Sequence, residues 1–327
     1  EPFANLDPAS CASLSAELAR LNAELGVTLL VVDHRAGWWL PFASRVVLMR
    51  ASGSLDEASF APSDLLAHEG RMRAAGLFVD EQWAAGYAPV QVAPDARTLV
   101  RARGLSAGYG RGRAFSRVLA GVDLDVARGS VCALVGECGS GKSTLLHAIA
   151  GACETSGELD VEGSVGLVFQ NPRLQFLALT VTEEVLVTLR AANPGVADED
   201  LAARVPALLE EFGLAGLGER SPYEISQGQQ RRLAMLAMLA GNAGVLLLDE
   251  PTYAQDERST RRMLDMLMGR VAAGLTVIVA THDLVLARAV ANQVLLVQDG
   301  GVRPLDADEF ETYARGRREP AWEGSRA

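Results

Sequence analysis

In the second half of the chain, short apolar runs alternate with stretches of helical pattern. Val131-Cys132-Ala133-Leu134-Val135, Val165 to Phe169, Val245-Leu246-Leu247-Leu248 and Thr276 to Thr281 are strand-length and rich in β-branched or aliphatic residues. Thr144-Leu145-Leu146-His147-Ala148-Ile149 follows the first run with a helical pattern, and a second helix is expected to open at Ser226 and run to about Ala240. Strands alternating with helices predict an α/β fold with a mainly parallel sheet covered by helices.

The first half repeats part of the second. Glu1-Pro2-Phe3-Ala4-Asn5-Leu6-Asp7 echoes Glu250-Pro251-Thr252-Tyr253-Ala254-Gln255-Asp256, and Val27-Thr28-Leu29-Leu30-Val31-Val32-Asp33-His34 matches Leu275-Thr276-Val277-Ile278-Val279-Ala280-Thr281-His282. Arg45-Val46-Val47-Leu48 then matches Gln293-Val294-Leu295-Leu296 without a gap from either histidine. The simplest account makes residues 1–50 the tail of a first copy whose front portion is absent from this chain. Residues 51–97, rich in Ala, Gly and Pro with a short helix expected near Ser63 to Ala75, read as the end of that copy plus a linker. A complete domain is expected over 98–305, and a tail over 306–327.

Composition narrows the function classes. The 327 residues are 49% hydrophobic and 22% charged, a globular balance able to bury a large core. Thirty basic against 41 acidic residues leave a formal charge of -11, which disfavours broad attraction to nucleic acid or an anionic membrane. No apolar run approaches the roughly 20 residues that span a bilayer, so membrane association is expected to go through another subunit. Cys11, Cys132, Cys138 and Cys153 are scattered without metal-ligand pairing, as suits a reducing cytoplasm, and no secretory apolar segment opens the chain.

The chemistry concentrates where strands end. Gly136-Glu137-Cys138-Gly139-Ser140-Gly141-Lys142-Ser143, continued by Thr144, sits between an apolar strand and a helix, the setting a phosphate-binding loop requires. Its glycines let the backbone wrap so that successive N–H groups face phosphate oxygens, and the helix N-terminus adds a favourable dipole. Lys142 is placed to reach the β and γ phosphates and the Ser143 hydroxyl to bind Mg²⁺. The run Val245 to Leu248 ends in Asp249 and Glu250; in this company Asp249 is expected to hold Mg²⁺ through its water shell and Glu250 to polarise an attacking water.

To this point a kinase or a GTPase would fit equally. Ile225-Ser226-Gln227-Gly228-Gln229-Gln230-Arg231-Arg232 then resembles the signature of ATP-binding-cassette proteins, usually LSGGQ, with Gln227 in place of the first glycine. The resemblance implies the cassette fold: a P-loop core with a mainly parallel sheet, an antiparallel β subdomain and a helical subdomain. It implies ATP and Mg²⁺ as ligands, and it places Ser226, Gly228 and Gln229 against the γ-phosphate held by an opposite cassette. Gln170 then resembles the glutamine that touches Mg²⁺ and the attacking water, His282 the histidine that bonds the γ-phosphate, and Asp256 the aspartate of the following loop. Tyr109 resembles the aromatic that stacks on adenine; ordinary strand packing is its other reading.

Phe169-Gln170-Asn171-Pro172-Arg173-Leu174-Gln175-Phe176 and Thr180-Val181-Thr182-Glu183-Glu184-Val185 look like the corresponding segment of energy-coupling factor ATPases. That implies an importer of a vitamin or metal ion at the cytoplasmic face of the membrane, with a transmembrane coupling subunit and a membrane substrate-binding subunit as partners. Leu174, Phe176 and Leu177 either line a groove for the coupling subunit or belong to a short core helix. Two cassettes closing over two ATP molecules would drive the motion. The first copy retains counterparts of Glu250 (Glu1) and His282 (His34) but no phosphate loop or signature, so either a longer tandem protein or pairing between two chains is expected. The alternatives are a soluble cassette acting on ribosome or nucleic acid, against which the linker lacks a basic run, and a non-hydrolysing nucleotide switch.

Overall fold

The computed structural model describes the chain apart from Glu1, Pro2, Ala4, Asn5, Asp7, Ala36, residues 50–53 and 56–58, Val79, Asp80, Ala254 and residues 318–327. The Glu1 counterpart of Glu250, most of the 1–7 echo, parts of the expected linker and the end of the expected tail lie outside the described residues. Residues 1–86, 254–262 and 307–327 form one unit; residues 87–253 and 263–306 form the other.

In the first unit, helix α1 (Pro8–Leu25) packs Cys11 against Phe3, Trp38 and Trp39, with the Phe3 and Trp39 ring centroids 4.4 Å apart. A second small core gathers Leu48, Phe60, Leu65 and Met72, the last on α2 (Glu69–Ala74), which continues a 3-10 turn over Pro62–His68. The expected short helix is therefore present. The likeness of 27–34 to 275–282 does not extend to the backbone: residues 27–33 form no strand, and Leu30 is 95% exposed. The reason is the surroundings, since a strand of a parallel sheet needs hydrogen-bonding neighbours, and the described residues supply none here. The match to Gln293–Leu296 likewise reduces to one isolated bridge between Val46 and Phe60.

The second unit begins earlier than the expected boundary. Residues 87–97 belong to it, held by the Tyr87 hydroxyl donating to Asp265 (2.6 Å) and by the Arg128 N–H donating to Arg97 O (2.8 Å). Strands β1 (Thr98–Tyr109), β2 (Ser116–Ala127) and β4 (Glu154–Val161) make an antiparallel sheet of order β2-β1-β4. The main sheet contains β3 (Val131–Val135), β5 (Val165–Val168), β6 (Val245–Asp249), β7 (Thr276–Ala280), β8 (Gln293–Gln298) and β9 (Gly301–Leu305). Its order is β5-β6-β7-β3-β8-β9, parallel except for the final β8/β9 pair. That hairpin closes through Asp299 and Gly300, both with positive φ (51° and 75°), the Asp-Gly turn whose twist matches two antiparallel strands.

Helix α3 (Lys142–Ile149) lies in the core shared by the two sheets, where Leu145 and Leu146 meet Leu105, Leu119, Leu134 and Ile278. Helices α4 (Val181–Ala192), α5 (Asp198–Glu211) and α6 (Gln227–Ala240) form the helical layer, with α4 packed on α5 and α6. The remaining helices are α7 (Glu257–Ala272), α8 (Leu284–Val290) and α9 (Ala307–Arg315), the last in the expected tail. Among the described residues no helix is long and apolar enough to cross a membrane.

Strands β3, β6 and β7 are buried along their whole length, so their carboxyl ends open together at one edge of the sheet. The start of that edge's central strands is anchored by a side chain: the wholly buried Thr276 hydroxyl accepts the Gly129 N–H at 2.9 Å. Thr276→Val keeps the shape and leaves that amide without its acceptor, an expected loss of about 1–3 kcal/mol. Urea melts of the whole chain should show a lower midpoint at unchanged slope.

Candidate nucleotide site at the strand ends

β3 ends in a turn that only glycine can begin. At Gly136 a Cβ would stand 2.3 Å from the Val297 carbonyl oxygen of β8 and 2.8 Å from Ser140 Oγ. At the other end of the turn Gly141, with φ 110°, precedes α3, and a Cβ there would meet the Leu119 side chain at 2.8 Å. Between them Glu137, Cys138 and Gly139 are exposed and Ser140 half-buried. Lys142 is buried and its ammonium curls back on the loop, donating to Gly136 O and Glu137 O, both at 2.9 Å. Lys142, Ser143 and Thr144 form the first turn of α3, whose amides have no acceptor within the helix. The Ser140 hydroxyl is buried without a protein partner. Glycines, first-turn amides, an ammonium and an orphaned hydroxyl together fit a phosphate chain.

The two carboxylates close in from β6. Asp249 is buried and accepts a hydrogen bond from Ser143; burial pushes its carboxyl pKa up, the neighbouring Glu250 adds to the rise, and Ser143, His147 and Lys142 oppose it. A buried carboxylate held above its ordinary range, beside a hydroxyl, is a pair of hard oxygen donors short of positive charge, which fits Mg²⁺. Glu250 is buried in a left-handed conformation (φ 48°), its N–H donating to Ala280 O at 2.9 Å. Its carboxylate Oε2 accepts the His282 N–H at 3.2 Å and stands 2.8 Å from His282 Nδ1. His282 follows β7 in a turn fixed by Asp283, which caps α8 by accepting the Leu286 N–H at 3.0 Å.

The other expected residues fall as follows. Tyr109 ends β1 half-exposed, its hydroxyl 2.7 Å from His147 Nδ1. Gln170 follows β5, and its carbonyl accepts from Arg231 at 2.7 Å. Ser226 is the N-cap of α6 and makes a reciprocal box with Gln229: its hydroxyl accepts the Gln229 N–H at 3.3 Å while its own N–H donates to Gln229 Oε1 at 2.8 Å. Gly228 sits in the first turn of that helix, half-buried, and Ser226 is exposed. Asp256 falls in the other unit, where its carboxylate accepts the Ser259 N–H at 2.6 Å. Of the apolar trio after Gln170, Phe176 is a core residue packed on Tyr223, whereas Leu174 and Leu177 are 76% and 79% exposed.

Three contributors were not singled out from the sequence. His147 sits against Tyr109 and forms an edge-on contact with Phe169, ring centroids 5.8 Å apart. Glu184, buried in α4, accepts the Leu177 and Ala178 N–H groups at 2.8 Å each and so shapes the loop after Gln170; burial pushes its carboxyl pKa up. Arg231 is buried beneath Asp249, Glu250 and Gln170. The one visible signal was Gln230-Arg231-Arg232, a polar run in a helix that otherwise turns apolar.

A model of the ABC transporter family matches residues 119–253. The chain is 30% identical, over 92% of its length, to a Bacillus subtilis protein named for HMP/thiamine import ATP binding, YkoD, of which the match covers 60%. It is 40% identical to the aliphatic sulfonates import ATP-binding protein SsuB 2 of Nocardia farcinica, over 62% of this chain and 81% of that one. It is 37% identical to the energy-coupling factor transporter ATP-binding protein EcfA1 of Thermotoga maritima, over 51% and 68%. The chain thus spans about 60% of the length of YkoD. An ATP-binding cassette solved as a dimer in a post-hydrolysis state with ADP and phosphate superposes on 64% of this chain and 98% of its own, with TM-score 0.58 and 27% identity. These likenesses make the chain a member of the ATP-binding-cassette family of transporter nucleotide-binding proteins.

Proposed function

We propose that this chain binds ATP in the Gly136–Thr144 turn and hydrolyses it to drive transport through membrane subunits. The observation that carries the reading is the meeting of Lys142, Ser143, Asp249, Glu250 and His282 at the carboxyl ends of β3, β6 and β7. Lys142, bonded to carbonyls of its own loop, exchanges those bonds for phosphate oxygens. Ser143 and Gln170, with Asp249 through its water shell, would hold Mg²⁺, which would supply charge neutralisation to the phosphates. Glu250, aimed by its left-handed turn and by His282, polarises the water that attacks the γ-phosphorus, and the bond to the β,γ-bridging oxygen breaks. His282 is then available to donate to the γ-phosphate, and Tyr109 offers its ring to adenine.

The reading extends to a second cassette. Ser226, Gly228 and Gln229 cap the γ-phosphate of the opposite subunit from a helix N-terminus, so each nucleotide is contacted from both sides only when the pair is shut, and binding energy drives closure. Asp256 joins the loop at that interface. The transporter is of the energy-coupling factor type, importing a vitamin or metal ion at the cytoplasmic face of the membrane. Supporting this are the segment from Phe169 to Val185, the likeness to EcfA1, and exposed Leu174, Leu177 and Leu179, an apolar landing for a helix of a transmembrane coupling subunit. A separate membrane subunit recognises the substrate. Residues 1–50 are the tail of a first cassette in a tandem protein; the match to YkoD across most of this chain supports that account.

Three outcomes test the reading. Lys142→Ala should weaken ATP binding by about 10- to 150-fold, the loss of one charge-assisted bond, measured by equilibrium titration; unchanged affinity sinks it. Glu250→Gln should abolish phosphate release while leaving a nucleotide-dependent dimer that light scattering detects. Asp249→Asn carries the pH sign. Because burial raises the Asp249 pKa above its ordinary 3.8, the charged form opposes folding at neutral pH, and the opposition fades as pH falls through the raised value. The variant should melt higher than the parent near neutrality without nucleotide, lose that margin in acid, and lose Mg²⁺-dependent turnover.

A further inference from the structure

Arg231 is 3% exposed, yet among the described residues its hydrogen bonds run to backbone carbonyls and not to a carboxylate. Its guanidinium is spent on backbone carbonyls: Nη1 donates to Glu250 O at 2.6 Å and, more weakly, to Asp249 O at 3.4 Å, and Nη2 donates to Gln170 O at 2.7 Å. Burial lowers its pKa to about 10, which still leaves it charged at neutral pH. Burying this cation costs free energy that the nearby Glu250 and Asp249 charges only partly offset, and its planar fork presents separate nitrogens to two separate turns. The turns it reaches are those of Gln170 and Glu250. It extends from α6, one helical turn beyond the Ser226 cap. Glu250 itself occupies a left-handed conformation that a non-glycine residue holds only when its surroundings impose it.

We propose that Arg231 is a positioning residue that imposes this conformation, tying the signature helix to the backbones of Glu250 and Gln170 so that movement of α6 re-aims both side chains. The inference rests on the hydrolytic role given to Glu250 above. Removing the fork would free the turn at 250–253 while leaving the phosphate loop, built from β3 and α3, intact.

Arg231→Lys and Arg231→Met in the full chain test it. Lys keeps the charge but lacks the planar fork whose two terminal nitrogens each meet one of the turns. For Arg231→Lys, turnover should fall about 10- to 100-fold, the cost of a small misplacement of a catalytic group, while Mg²⁺-ATP affinity by titration stays within about threefold. Amide hydrogen exchange without nucleotide should quicken at 249–253 and 170–172 and stay unchanged at 137–145. Should Arg231→Met fail to fold, Arg231→Lys alone decides. Wild-type turnover with wild-type exchange in Arg231→Lys overturns the proposal, as does a parallel fall of turnover, affinity and exchange protection across the whole domain. If the parent shows no Glu250-dependent turnover, the hydrolytic reading fails, and the exchange measurement decides the tie by itself: localised quickening supports it, and none overturns it.

Discussion

The carbonyl oxygen of Val297 lies where the Cβ of any other residue at 136 would have to be. Because β8 packs that closely along β3, the chain leaving β3 has no room to continue as a strand with a side chain, and it must wrap. The wrap ends where α3 begins, and α3 is held by the core beneath both sheets. The loop's shape thus follows from sheet packing on one side and helix packing on the other. The open backbone that results has the curvature a phosphate chain needs.

Charge is then brought to this loop at a cost that the isolated chain bears. Lys142, Asp249, Glu250 and Arg231 are all buried within neighbouring turns, and burial works against the charged form of both Asp249 and Arg231. The compensations present are partial. Lys142 bonds to carbonyls of its own loop, Asp249 takes a hydroxyl, and Glu250 takes His282. Each of these bonds can be replaced by one to a nucleotide, a metal or a water, which is the usual form of a site that gives up stability for function. Arg231 differs, since its bonds run to backbone carbonyls and serve geometry instead of exchange.

Legibility in the sequence followed the range of the interaction. The turn from Gly136 to Thr144 was readable because its conformation needs glycine at particular positions within a few residues. Asp249 and Glu250 were readable because an apolar run that stops in two acids is itself a local signal. The signature was readable in part: the Ser226–Gln229 capping box is local, while any contact across a pair of cassettes is not. Phe176 and His147 depended on partners tens of residues away in the chain, Tyr223 and Tyr109, and no spacing rule announces such pairs.

From its residues alone, this protein was committed to alternating strands and helices, to a glycine-rich turn between β3 and α3, and to a carboxylate pair at the end of β6, because periodicity and glycine placement act over short stretches. Only the tertiary structure decided that Glu250 faces His282, that one guanidinium joins two turns, and that residues 87–97 belong with the second unit. It also decided that Val27–Val32, despite its likeness to β7, is not a strand. A strand exists by its neighbours, and β7 has β6 and β3 beside it where residues 27–33 have neither.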